Sequence, residues 1–188
     1  MKQTNKINRR KFLSGAALAG SLLFSTPYLP AGEPAVNNEQ KNGIGAENEA
    51  AITQAQALIA QHKADCVLVK DGKIAAQYSG RGVAPILAMH ENQRNVMPGA
   101  ILVDRVIGRA AASAVICGKC AMVQTELISK DAIELLQKYN VKIRYTTVVE
   151  KILNRDKSDI CPMEKLVSEI EKPEDMLAAL KAKLGNAK

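Results

Sequence analysis

Four cysteines are the most reactive residues in this chain: Cys66, Cys117, Cys120 and Cys161. Cys117 and Cys120 enclose Gly118-Lys119, a Cys-x-x-Cys spacing that admits a redox dithiol, half of a metal site, or a local disulfide. Haem attachment would need His after the second Cys, and Ala121 stands there. A redox pair wants its attacking thiol at a helix N-terminus, where the dipole stabilises the thiolate. The run before Cys117 instead reads as a helix ending there. A four-thiolate zinc site wants a second close pair, and Cys66 and Cys161 stand alone. In an oxidising compartment a Cys117–Cys120 disulfide is the plainest expectation. Cys161 differs, because Pro162 and Glu164 mark a helix start behind it. A thiol there suits a nucleophile or ligand; packing under the loop is the simpler alternative.

The remaining candidates are polar residues set among apolar or glycine-rich surroundings. Asp104 and Arg105 interrupt an aliphatic run, Arg81 lies between Gly80 and Gly82, and Gly99 follows Pro98. Ser129, Asn154, Arg155 and Glu164 sit at expected helix boundaries. Arginines and glycine loops near helix starts suit an anionic ligand; the charged members could equally form a structural ion-pair network. No dinucleotide fingerprint or P-loop is present. His62 and His90 fall near helix ends and are expected at the surface, so no nucleophile triad can be assembled. No metal site and no cofactor are expected.

These residues must be positioned by an α/β frame. Helical spacing runs over 50–63, strands over 66–69 and 73–79 flank an Asp71-Gly72 turn, and a short helix covers 83–90. Pro98-Gly99 introduces what reads as a long helix over 100–116, with a small-residue face at Gly108, Ala111, Ala112 and Ala114. Strands follow at 121–127 and 141–145, separated by a helix that Ser129 caps. A helix near 148–153, a loop through Pro162 and two more helices complete the chain. Strands alternating with helices imply a mixed sheet covered on both faces.

The net charge of +7 misleads. Five of the 26 basic residues precede residue 31, leaving 21 against 19 acids in the remainder. With two Phe, four Tyr and no Trp, stacking platforms are scarce, so nucleic-acid binding is not expected. The five early cations, the modest apolar run from Phe12 to Phe24, and Pro27 and Pro30 have the layout of a targeting peptide. Asn8-Arg9-Arg10-Lys11-Phe12-Leu13 resembles a twin-arginine box. The expected organisation is a twin-arginine signal over 1–31, a flexible linker over 32–48 and one domain over 49–186. That domain is expected outside the cytoplasm, periplasmic or extracytoplasmic, with no stable membrane span in its mature form.

Four stretches carry a family resemblance: CVLVKDGK (66–73), GRGVAP (80–85), VDRVIGRAAA (103–112), and Asn154-Arg155 followed by CPMEK (161–165). They resemble the bacterial and archaeal family called domain of unknown function 1893, over roughly 50–184. The resemblance implies a fold similar to cytidine deaminases, a three-layer α/β/α with a mixed central sheet. Zinc deaminases carry His-x-Glu at the start of the helix after the hairpin and Pro-Cys-x-x-Cys after the third strand. With the elements as read, those places hold Pro98-Gly99-Ala100-Ile101 and Ile128-Ser129-Lys130-Asp131. His90 and Glu91 are adjacent, about 100° apart on a helix, and cannot substitute. The expectation is a non-zinc domain that binds a small ligand or a protein partner. Its site would use Arg81, Gly99, Asp104, Ser129, Asn154, Arg155, Cys161 and Glu164. The alternative is a thiol-dependent redox or sulfur-handling protein using Cys117 and Cys120.

Overall fold

The computed structural model describes residues 44–185; the segment expected to be a twin-arginine signal and most of the expected linker lie outside them. The chain runs α1 (Ala46–Ala60), β1 (Cys66–Lys70), β2 (Lys73–Tyr78), α2 (Ala84–Asn92), β3 (Ile101–Ile107), α3 (Arg109–Cys117), β4 (Met122–Ser129), α4 (Lys130–Lys138), β5 (Lys142–Val149), α5 (Pro162–Val167) and α6 (Pro173–Gly185). The strand order is β2-β1-β3-β4-β5. β1 is antiparallel to β2 and β3, while β3, β4 and β5 are parallel. This is an α/β fold with a mixed sheet between two unequal helical layers.

The alternation of side chains along the strands divides the core. Val67, Val69, Ile101, Val103 and Met122 face α1, which covers them with Ile52, Ala55 and Ile59. Cys66, Leu68, Leu102 and Val123 face the larger core, shared with α2, α3, α4 and α6. Three polar links fix α1 to the sheet: Arg144 pairs with Glu49 at 2.7 Å, Arg105 donates to the Ile59 carbonyl at 2.9 Å, and the Gly72 amide donates to Asn48 at 2.9 Å. Among the described residues no helix is long and apolar enough to cross a membrane.

Two elements depart from expectation. The run over 100–116 is not one helix: 101–107 is a strand, and the helix starts only at Arg109. Its apolar spacing fits either structure, and the β-branched residues Ile101, Val103, Val106 and Ile107 favour the pleated form beside β1 and β4. The small-residue face belongs to α3, which buries Ala110 to Val115. The helix expected near 148–153 is also absent. β5 continues to Val149, and a bridge joins Leu153 to Ile160. Among the described residues the sheet therefore has five strands where the sequence suggested four.

Candidate functional site

The corrected strand changes what Asp104 does. Asp104 stands on β3 in register with Cys66 of β1 and Thr125 of β4, so the three side chains share one face. Arg105 turns to the other face, towards α1. Asp104 Oδ1 accepts the Val106 amide at 2.9 Å, so it caps no helix dipole. Burial pushes its carboxyl up to about 7, against the pull of the Val106 and Arg105 amides; nearby Asp65 raises it further. Burial, then Asp104 and Asp65, also drives the Cys66 thiol up, so it stays protonated.

A cleft of about 430 Å³ opens beside this carboxyl at the exit of β3. Asp65 and Gly80 form one wall, Asp65 Oδ2 accepting the Gly80 amide at 2.8 Å. The turn into α3 forms the floor, and the segment carrying Arg155, Cys161 and Glu164 forms the roof. Arg155 is exposed and has no ion-pair partner among the described residues. Cys161 is half-buried at the cap of α5, where its amide donates to the Ile152 carbonyl at 2.9 Å.

Glu164 is committed to structure. Its carboxylate accepts the Arg109 amide at 2.8 Å and the Ala110 amide at 3.0 Å, filling the start of α3 from 54 residues away. A helix N-terminus offers free amides and partial positive charge to such a group. Gly108 makes the approach possible, because a Cβ there would lie 2.4 Å from Glu164 Oε1. Arg109 returns the contact, donating from Nε to the Val167 carbonyl at 3.3 Å and from Nη2 to that of Ile170 at 2.7 Å. Burial raises the Glu164 carboxyl, outweighing the two amides.

Asp104, Arg155, Cys161 and Glu164 thus meet at one cleft, and the other four candidates do not join them. The glycines beside Arg81 line the wall, while Arg81 itself is exposed outside it. Gly99 lies before the opposite end of β3 with φ +76°, in a turn whose amide donates to the Lys119 carbonyl. Ser129 is buried and caps α4 by accepting the Ala132 amide at 3.3 Å. Asn154 holds the 154–159 turn through Ser158 and the Asp159 amide, facing a neighbouring groove. Among the described residues Asp104, Arg81, Arg155 and Glu164 form no ion pair with one another. Sequence reasoning missed Asp65 and the role of Gly108. An acid immediately before a strand was the available signal for the first; nothing local announces the second.

The thiol pair sits elsewhere, past the end of α3. All four cysteines are free, so the expected Cys117–Cys120 disulfide is not formed. Burial pushes the Cys117 thiol up to about 11 and that of Cys120 up to about 12. These are weak nucleophiles, the opposite of an activated dithiol. His90 is buried as well, at 8% exposure, and not at the surface as expected.

Zinc deaminase chemistry would need its ligands at two helix starts. The helix after the hairpin is α2, opening Val83-Ala84-Pro85-Ile86; the one after the third strand is α3, opening Gly108-Arg109-Ala110-Ala111. Neither opening holds His, Cys or Glu, so the residues at these two helix starts do not fit a catalytic zinc ion. Among the described residues no three His, Cys, Asp or Glu side chains are grouped to hold a metal.

The profile of a family described as a domain of unknown function (DUF1893) matches residues 54–184. A crystal structure of a DUF1893 family protein from Thermotoga maritima is similar to this chain, with 24% identity and a TM-score of 0.65. The match covers 71% of this chain and 89% of that one. Coarser likenesses, both with a TM-score of 0.39, reach two larger chains, each covered over 36% of its length. One is RibD of Acinetobacter baumannii, at 14% identity over 54% of this chain. The other is a diaminohydroxyphosphoribosylaminopyrimidine deaminase/5-amino-6-(5-phosphoribosylamino)uracil reductase of Thermotoga maritima, at 16% identity over 53%. No curated protein matches.

Proposed function

The chain belongs to the DUF1893 family, and from the chemistry of its cleft we propose that the domain binds a small polar molecule bearing one anionic group. The observation that carries this reading is the meeting of Asp104, Arg155 and Cys161 at one concave site. A carboxyl near neutrality can donate or accept a hydrogen bond at the floor, and a free guanidinium at the rim suits a carboxylate or phosphate. A cleft of this size accommodates a small molecule more readily than a protein surface. The reading asks for no cofactor and leaves the thiols of Cys117 and Cys120 as packing groups.

The test is a binding screen of small carboxylates and phosphate monoesters by amide NMR shifts. A hit should perturb residues around Asp104, Cys161 and Arg155. Arg155→Ala should weaken it about tenfold, the loss of one charge-assisted contact. Cys117→Ser should leave it unchanged. Hits that bind Arg155→Ala and wild type alike, or that Cys117→Ser abolishes, would remove this reading in favour of the thiol one.

We further propose that the folded domain is exported by the twin-arginine route. Support comes from Arg9-Arg10 followed by Phe12-Leu13 and a mildly apolar run. Replacing Arg9 and Arg10 by Lys should strand a reporter fusion in the cytoplasm. Unchanged export of that variant would count against the route.

A further inference from the structure

We propose that a second cavity, at the other end of α3, binds a small organic monoanion with an apolar body. The cavity is about 520 Å³ and lies between the ends of α2 and α3 and the face of α6. Leu177, Ala178 and Pro98 supply apolar surface, and Arg94, Lys119 and Lys181 supply positive charge. Lys181 is paired with Glu91 at 3.3 Å, whereas Arg94 and Lys119 have no carboxylate partner among the described residues. The Ala114, Ile116 and Val115 carbonyls near the end of α3 accept the amides of Gly118, Lys119 and Cys120, and the cations must outweigh the negative end of that helix. One acid, Glu174, faces the cavity and opposes a polyanion. The wall also contains His90, whose buried Nδ1 has no hydrogen-bond partner among the described residues.

Lys119 is the residue that points to a ligand. It sits in the left-handed region at φ +55°, just past the end of α3, where glycine is the usual occupant. The chain spends its glycine one position earlier, because a Cβ on Gly118 would meet Met97 Cε at 2.4 Å. The Lys119 backbone is held at both ends, its amide donating to the Ile116 carbonyl at 2.8 Å and its carbonyl accepting the Gly99 amide at 2.9 Å. His62 and Asn140 adopt the same conformation past α1 and α4, but of the three only Lys119 lines a cavity, and its backbone is fixed there at both ends.

Benzoate, with benzamide as its neutral isostere, tests this in the purified protein by amide NMR titration. Benzoate should give saturable shifts at Gly118, Lys119 and Ala178, and benzamide should bind at least fivefold more weakly. Lys119→Gly relieves the backbone and should fold at least as stably as wild type while losing fivefold or more in benzoate affinity; Arg94→Ala should lose a similar factor. Equal affinity for the two probes overturns the proposal. So does wild-type binding by Lys119→Gly, or saturation confined to the cleft at Asp104.

Discussion

Asp104→Asn should raise the melting temperature of the domain at pH 8 by roughly 5–10 °C and change it far less at pH 4.5. In the unfolded chain this carboxyl titrates near 4; in the folded protein burial holds it at about 7. Between those values the folded state keeps a proton that the unfolded state releases. Stability therefore falls as pH rises from about 4 to about 7 and stays lowered above. The loss is on the order of 2–4 kcal/mol. Asn retains the oxygen that accepts the Val106 amide and cannot ionise, so it escapes the loss. Calorimetry of both proteins from pH 4.5 to 8 measures the effect. Parallel curves would show that the carboxyl is not desolvated as the fold requires. A protein that keeps an acid here, against its own stability, has the trade-off expected of a binding site.

The second large effect is at Gly108. Gly108→Ala places a methyl within 2.4 Å of Glu164 and must displace that carboxylate from the start of α3. The Arg109 and Ala110 amides then lose their acceptor, and the variant should lose about 2–4 kcal/mol. Glu164→Ala removes the same contacts and should lose about 2 kcal/mol. Because both substitutions destroy one interaction, the double variant should be barely less stable than the worse single one. Denaturant titration of the four proteins completes the cycle. Strict additivity would mean that Glu164 does not act through the α3 start.

Much of this arrangement was legible in the chain. The hairpin at Asp71-Gly72, the Ser129 cap and the helix after Pro173 follow from local rules, and each is present where those rules put it. The strand at 101–107 was not, because ILVDRVI shows no alternation of apolar and polar residues, and its partners lie 32–38 residues away in β1 and 21 in β4. That single misreading put Asp104 on a helix and hid its alignment with Cys66 and Thr125. The contact between Gly108 and Glu164 spans more than 50 residues and leaves no periodic trace. His90 shows the same limit: position near a helix end suggested exposure, but the tertiary fold leaves it only 8% exposed, on the wall of the cavity it shares with Lys181.

The lopsided layering has a consequence for how the molecule comes apart. Among the described residues one face of the sheet relies on a single helix, α1, fastened by Arg144, Arg105 and Asn48, while α1 lines neither of the two proposed binding cavities. Peeling α1 away would bare Val67, Val69, Ile101 and Val103 yet leave the Asp104 cleft assembled. Deuterium should therefore enter α1 well before α3, and the first surface this domain turns sticky would be the one that takes no part in holding a ligand.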